Sequence, residues 1–106
     1  MLKVLGQLNP SAAILTDAYV TPPLTTAVVS SVVVTNRSAV ATSFRVSVAV
    51  NGAVDDLRQY LYYDVPIDGN DTFIATIGIS LASADVIRVY ATLGTLSFNI
   101  FGIEVE

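Results

Sequence analysis

The segment Thr95-Leu-Ser-Phe-Asn-Ile-Phe-Gly-Ile-Glu-Val105 decides the fold class of this 106-residue chain. Its first apolar residues fall on every second position, at Leu96, Phe98 and Ile100, with small polar residues between them. A period of two places successive side chains on opposite faces of a β-strand. The pattern therefore predicts a strand with one face packed on a core.

The same segment changes register near its end. After Ile100 the apolar residues are Phe101, Ile103 and Val105, which belong to the other face because a slip of one residue turns every side chain over. Either a β-bulge near Gly102 returns these residues to their own core, or they leave that core and are buried elsewhere. We favour the second alternative and expect Asn99–Glu106 to make intermolecular contacts.

Strand patterns recur along the chain at close spacing. Besides residues 95–100, strands are predicted over Leu2–Leu8, Ala13–Thr21, Thr26–Asn36, Phe44–Val50, Arg58–Val65, Thr72–Leu81 and Val86–Thr92. About eight short strands predict an all-β fold, an antiparallel β-sandwich of jelly-roll-like form, in a single domain covering residues 1–106. The predicted core consists of Phe44, Val46, Val48, Phe73, Ile77, Ile79, Ile87, Val89, Leu96 and Phe98.

Glycine-containing pairs mark three of the breaks between strands. Asn51-Gly52 and Asp68-Gly69 supply the positive φ that tight turns need, and Leu93-Gly94 fits a short hairpin joining the last two strands. Ala53–Tyr60 is the one stretch that competes for helix, with Asp55 and Asp56 at its possible start.

The composition points to association with other proteins. Charged residues make up 13% of the chain, against about 25% in typical globular proteins, so apolar and hydroxyl side chains must cover much of the surface. Contiguous apolar surface of that kind marks protein–protein interfaces. The net charge is −4, and the five Lys and Arg residues are scattered singly, which argues against nucleic-acid binding. No apolar run approaches the roughly 18 residues of a membrane span, so no membrane partner is expected.

Few residues could perform catalysis, since the chain has no His and no Cys. The acidic stretches Asp55-Asp56 and Asp64–Asp71 could supply a carboxylate pair or Ca²⁺ ligands, but their spacing does not match an EF-hand loop, and Asp, Asn and Gly also suit plain turns. The turn interpretation is favoured. We therefore predict no enzymatic activity, no catalytic residues, no cofactor and no metal.

Two stretches suggest interface residues instead. Ala27–Val34 is apolar on both faces, so either a second chain covers its outer side or surface valines are tolerated there. Tyr60 and Tyr62 alternate with Leu61 and Tyr63, so they are expected to share one face, either at an interface or sugar-stacking surface or at the edge of the core. The predicted interface set is Val28, Val32, Val34, Tyr60, Tyr62, Phe101 and Ile103.

Several runs resemble a group of small phage virion proteins. The runs are Tyr19-Val-Thr-Pro-Pro23, Thr26-Ala-Val-Val-Ser-Ser31, Asn36-Arg37, Thr42-Ser-Phe-Arg45, Tyr60-Leu-Tyr-Tyr-Asp64, Gly69-Asn-Asp-Thr-Phe73, Ala84-Asp-Val-Ile-Arg-Val-Tyr90 and Leu96-Ser-Phe98. The resemblance covers residues 15–102 and implies a structural β-sandwich protein of the virion, a homotrimer without cofactor.

The resemblance leaves two roles open. The first is a capsid decoration (cement) protein that associates with itself and docks on the lattice of the major capsid protein. The second is a tail- or fibre-associated module that binds a receptor or glycan, with Tyr60, Tyr62 and the Asp68–Asp71 loop exposed. We favour the first, in which apolar strands and the C-terminal tail make the contacts, because we expect a fibre component to include a long stalk, coiled-coil or peptidase extension, and this sequence includes none.

Overall fold

The computed structural model describes residues 2–106, so Met1 of the predicted domain lies outside the described residues. These residues form nine strands and no α-helix. The strands are β1 Lys3–Leu8, β2 Thr16–Val20, β3 Thr26–Asn36, β4 Thr42–Ala49, β5 Tyr60–Ile67, β6 Thr72–Ala75, β7 Ile79–Leu81, β8 Val86–Ala91 and β9 Leu96–Val105. Two short 3-10 turns, Val50–Gly52 and Leu57–Gln59, lie between β4 and β5. The all-β prediction is confirmed.

The strands form two antiparallel sheets packed as a sandwich. The larger sheet has the order β1-β9-β3-β6, and β7 also pairs with β3. The smaller sheet has the order β2-β8-β4-β5. The sequence predicts a jelly-roll-like form without a strand order; when β6 and β7 are taken as one interrupted strand, the observed order is that of an eight-stranded jelly roll.

The core lies between the two sheets and follows the predicted alternation. All ten predicted core residues belong to one apolar cluster, with Val48, Phe73 and Ile77 partly buried at its margin. The ring of Phe44 lies at its centre, 5.1 Å from Phe73 and 6.2 Å from Phe98 between ring centroids. Tilted and edge-on rings of this kind add to the stabilisation from buried area.

Strand β9 runs straight through the predicted change of register. Leu96, Phe98, Ile100 and Gly102 all face the core, and the bulges lie in the two neighbouring strands. Strand β3 has an extra residue between Val29 and Ser31, and β1 has one between Val4 and Gly6. The alternative of a bulge at Gly102 is therefore wrong, and Phe101 and Ile103 point away from the chain's own core.

The bulge in β3 also explains why Ala27–Val34 is apolar on both faces. One inserted residue moves the inward positions from Ala27 and Val29 to Val32 and Val34. Val32 and Val34 are fully buried in the core, so their side chains are not available to a second chain. Their place in the predicted interface set is corrected on that ground, whereas Val28 does face outward and is 41% exposed.

Three local predictions need correction. The predicted strand Thr72–Leu81 is broken over residues 76–78, although its inward positions keep their phase on both sides of the break. Leu93-Gly94 joins β8 to β9, which belong to different sheets, so the connection is a crossover and not a hairpin. In the Asp68–Asp71 turn the positive φ belongs to Asn70, while Gly69 is needed because a Cβ there would meet the Ala39 carbonyl oxygen at 2.1 Å.

Other turn predictions are confirmed. Asn51 and Gly52 both have positive φ. The stretch that competed for helix forms only the Leu57–Gln59 turn, which the Asp56 carboxylate caps by accepting from the backbone N–H of Arg58 at 3.0 Å.

The tight approach of β3 to Gly102 gives a test of the register. A Cβ on Gly102 would lie 2.2 Å from the Val28 carbonyl oxygen, an atom held in the β3–β9 ladder. We expect Gly102→Ala to lower the free energy of unfolding by about 1–3 kcal/mol, as overpacking does. Gly78→Ala is the matched control, because a Cβ there meets no atom within 4 Å. Urea unfolding of both variants checks this, and equal stabilities would contradict the register.

Candidate functional site on the outer sheet faces

The outer face of the larger sheet brings together the outward residues of β1, β9, β3, β6 and β7. We call this surface the neutral face. Its apolar members are Val4, Val28, Val33, Ile74, Phe101, Ile103 and Val105, and its polar members are Gln7, Thr26, Ser31, Thr35, Thr72, Ser80, Ser97 and Asn99. None of these side chains is charged. Three predicted interface residues, Val28, Phe101 and Ile103, lie together on it.

Cross-strand rows organise the neutral face. One row pairs Val4 with Phe101 and Phe101 with Ser31, and another pairs Ile103 with Val28. In a third row the Gln7 side-chain amide donates to the side-chain oxygen Oδ1 of Asn99 at 2.8 Å. Val28, Ile74 and Val4 are 41%, 64% and 47% exposed. The face is thus a continuous mixture of apolar and neutral hydrogen-bonding groups.

The outer face of the smaller sheet is different, because charged and aromatic side chains bond to one another there. The Arg45 guanidinium contacts the Asp64 carboxylate at 2.6 and 3.3 Å. Its carbon lies 4.2 Å from the ring centroid of Tyr63 and 4.4 Å from that of Tyr90. The hydrogen bond to Asp64 raises the pKa of Arg45 above its usual value. On the same face Arg88 Nε contacts Asp17 at 3.1 Å.

Two register shifts in β5 decide which tyrosines reach this face. Strand β5 has one extra residue between Tyr60 and Tyr62, and another between Tyr62 and Val65. Tyr60 consequently lies outside, where its ring meets that of Tyr63 edge-on at 5.0 Å. Tyr62 turns inward and packs near Phe73 with ring centroids 5.4 Å apart. The prediction that Tyr60 and Tyr62 share a face is wrong.

Sequence reasoning missed Arg45, Asp64 and Tyr90 as partners. Arg45 and Tyr90 are cross-strand neighbours, a relation that no local pattern reveals. Asp64 has a φ of +52°, which an aspartate tolerates better than most residues, and this turn of the backbone accompanies the second extra residue of β5. Positive φ at a bulge is not visible in an alternation of apolar residues.

The acidic loop after β5 forms a turn. The Asp71 N–H donates to the Asp68 carbonyl oxygen at 3.3 Å, and the side-chain amide of Asn36 donates to the same oxygen at 3.2 Å. Within residues 2–106 no group of three or more acidic, His or Cys side chains is placed to hold a metal ion. The hydrogen bonds at the Asp68 carbonyl oxygen confirm the predicted turn at residues 68–71.

A polar contact fixes the end of β9 beside the neutral face. Glu104 points between the sheets, where its carboxylate accepts from the Tyr19 hydroxyl at 2.5 Å and contacts Lys3 Nζ at 2.6 Å. The hydrogen bond from Lys3, followed by that from Tyr19, lowers the pKa of Glu104. Because Glu104 is held inside, its neighbours Ile103 and Val105 are held outside.

Comparison with known proteins found no matching family model, no matching curated protein and no matching solved structure. The resemblance to phage virion proteins therefore stays a prediction. Across residues 2–106, no helix has the length and apolar character needed to cross a membrane.

The dependence of the free energy of unfolding on alkaline pH tests the Tyr19–Glu104 contact. Burial, followed by the hydrogen bond to Glu104 and its charge, raises the pKa of Tyr19 above 10. A raised folded-state pKa gives a stabilisation that is complete below an unfolded pKa of about 10 and is lost as pH rises through the folded value. We expect the free energy of unfolding to fall above pH about 10, and to fall less in Tyr19→Phe.

Urea titrations at a series of pH values measure this slope. Tyr60→Phe is the necessary comparison, because burial and the hydrogen bond to Asp55 also raise the pKa of Tyr60. If the free energy of unfolding of Tyr19→Phe falls with alkaline pH as steeply as that of the native chain, the assignment of the Tyr19–Glu104 contact is wrong.

Proposed function

We propose that this protein is a non-enzymatic structural protein of a phage virion, a capsid decoration protein that associates with itself as a homotrimer and docks on the lattice of the major capsid protein. The observation that supports this most directly is the neutral face, an outer sheet surface with apolar rows and no charge. A surface of that kind stays poorly solvated on an isolated chain and suits permanent packing.

Two further observations support the proposal. The jelly-roll order occurs in viral capsid domains, which is an argument from analogy of fold and not from a site. The polar groups of the chain are also largely engaged with one another, since Lys3, Arg45, Arg58 and Arg88 each contact a carboxylate. Side chains committed to such pairs suit a structural protein better than a catalyst.

A tail- or fibre-associated module that binds a receptor or glycan is the second candidate. The observation that favours it is the cluster of Tyr60, Tyr63 and Tyr90 around Arg45 on the smaller sheet, because jelly rolls also occur in lectins and aromatic rings suit sugar binding. In that cluster, however, Arg45 already lies against two of the three rings, which leaves less aromatic surface free for a sugar.

Electron microscopy of phage particles that contain this chain separates the two candidates. We expect a gold-labelled antibody against the chain to mark the head surface evenly, because a decoration protein occupies repeated lattice positions. A label confined to the tail tip or fibres would favour the second candidate. Mass spectrometry of purified virions is the required control, because it establishes that the particles contain the chain. Absence of the chain from virions would refute both candidate functions.

A further inference from the structure

We infer that the neutral face is covered by other copies of this same chain, with the neutral faces of the proposed homotrimer packed together around its three-fold axis, and that the copies do not assemble by adding strand to strand at the sheet edges. The inference rests on the proposed function and extends it by naming the occupant of one surface. Any capsid contact would then use another part of the molecule.

The sheet edges argue against assembly by strand addition. The edge strands of both sheets are β1, β6 with β7, β2 and β5. Strands β1, β2 and β5 each contain a register shift, and the fourth edge is broken between Ala75 and Ile79. Strand β5 also contains Pro66, which lacks an N–H. Bulges, breaks and prolines are the devices that prevent edge-to-edge pairing.

Charge argues for a second copy as the occupant. The chain has a net charge of −4, so two copies repel one another wherever acidic surfaces meet. Acidic Asp68, Asp71 and Asp85 lie in loops outside the neutral face, whereas Asp17 and Asp64 on the outer face of the smaller sheet are paired with Arg88 and Arg45. On the neutral face none of the outward residues described above is charged, so two such faces meet without placing like charges opposite each other. Lys3 lines a shallow pocket beside this face with Val4 and Phe101, but its ammonium is already paired with the Glu104 carboxylate, so a strongly charged partner finds little there to pair with.

The polar groups of the face are complementary to an identical surface. The Gln7 and Asn99 side-chain amides and the Ser31 hydroxyl each offer both a donor and an acceptor. Two copies can therefore satisfy one another's polar groups while the rows of Phe101, Ile103 and Val28 bury their apolar surface. A partner that was purely apolar would leave those amides unpaired, at a cost in free energy.

The area of the face is also of the order that a stable interface needs. Strands β3 and β9 have 11 and 10 residues, so at ~3.3 Å per residue the face is roughly 33 Å long, and four strands side by side at ~4.8 Å make it roughly 19 Å wide. This is about 600 Å² in flat projection, and the relief of the side chains adds to it. Standard stable interfaces bury about 800 Å² of accessible surface per partner.

Placing a charge on the face tests the inference. We expect Val28→Lys and Ile74→Lys each to weaken self-association by about 100-fold, because each puts like charges into a desolvated interface. Val54→Lys is the matched control: Val54 is 86% exposed and lies in the loop before β5, so association should not change. Sedimentation equilibrium measures the association, and circular dichroism and thermal unfolding of each variant establish that it is folded. Ile74 lies on an edge strand and is largely exposed, so Ile74→Lys is the variant with the smaller risk of a folding defect.

Cysteine cross-linking locates the interface independently, since the chain contains no cysteine. With a short bifunctional maleimide, Ser31→Cys should cross-link into covalent dimers, the most that one cysteine per chain allows, and Val54→Cys should stay a single chain. A native chain that is monomeric at micromolar concentration would overturn the inference, as would folded Lys variants that associate normally.

Binding of the chain to virions is measured separately from self-association. A monomer that decorates capsids refutes the inference and the proposed homotrimer but supports the decoration role, whereas a chain that self-associates through this face and is absent from virions supports the inference and refutes the decoration role.

Discussion

The long pairing of β3 with β9 is the constraint on which the rest of the larger sheet depends. It runs from the Thr26–Val105 pair to the Asn36–Leu96 pair, so each strand must keep its inward residues in phase with the other over about 30 Å. Strand β9 keeps a single phase, and β3 adjusts by inserting one residue near Ser30. Gly102 makes this adjustment possible, because its missing side chain leaves room for the Val28 carbonyl group. Phe101 and Ile103 are turned outward as a direct result.

The two outer faces of the sandwich differ in where their charged side chains find partners. On the smaller sheet, Arg45 has a carboxylate and two aromatic rings as neighbours, so its charge is neutralised within the chain. On the larger sheet, the carboxylate that β9 itself carries near its end, that of Glu104, is turned inward to Tyr19 and Lys3. The inward turn of Glu104 is therefore what keeps the neutral face neutral at its end. The packing of β9 and the pairing of charges thus both leave the larger sheet with the neutral outer face and the smaller sheet with the charged one.

The sequence predicts those features that depend on local alternation, and fails where the neighbouring strand decides. The bounds of Thr26–Asn36 and the inward positions of β4, β8 and β9 follow from apolar residues at every second position. The positions of Val32, Val34 and Tyr62 could not be assigned in the same way, because an inserted residue changes the phase of the strand. One signal was present: Ala27 and Val29 differ in phase from Val32 and Val34, which is what a bulge produces. For Tyr60 and Tyr62 no such signal exists, since large side chains fill every position from 60 to 63.

The neutral face can exist only after β9 has docked. Strand β9 follows all the other strands in the chain, yet it lies between β1 and β3 in the larger sheet. Its two partners are therefore separated from it by most of the sequence, and such non-local pairings form slowly. Until β9 is in place, β1 has no partner in that sheet, and Phe101 and Ile103 are not aligned with Val4 and Val28. The self-association that we propose through this face is thus coupled to completion of the fold, because an incomplete sandwich lacks the surface through which copies would meet.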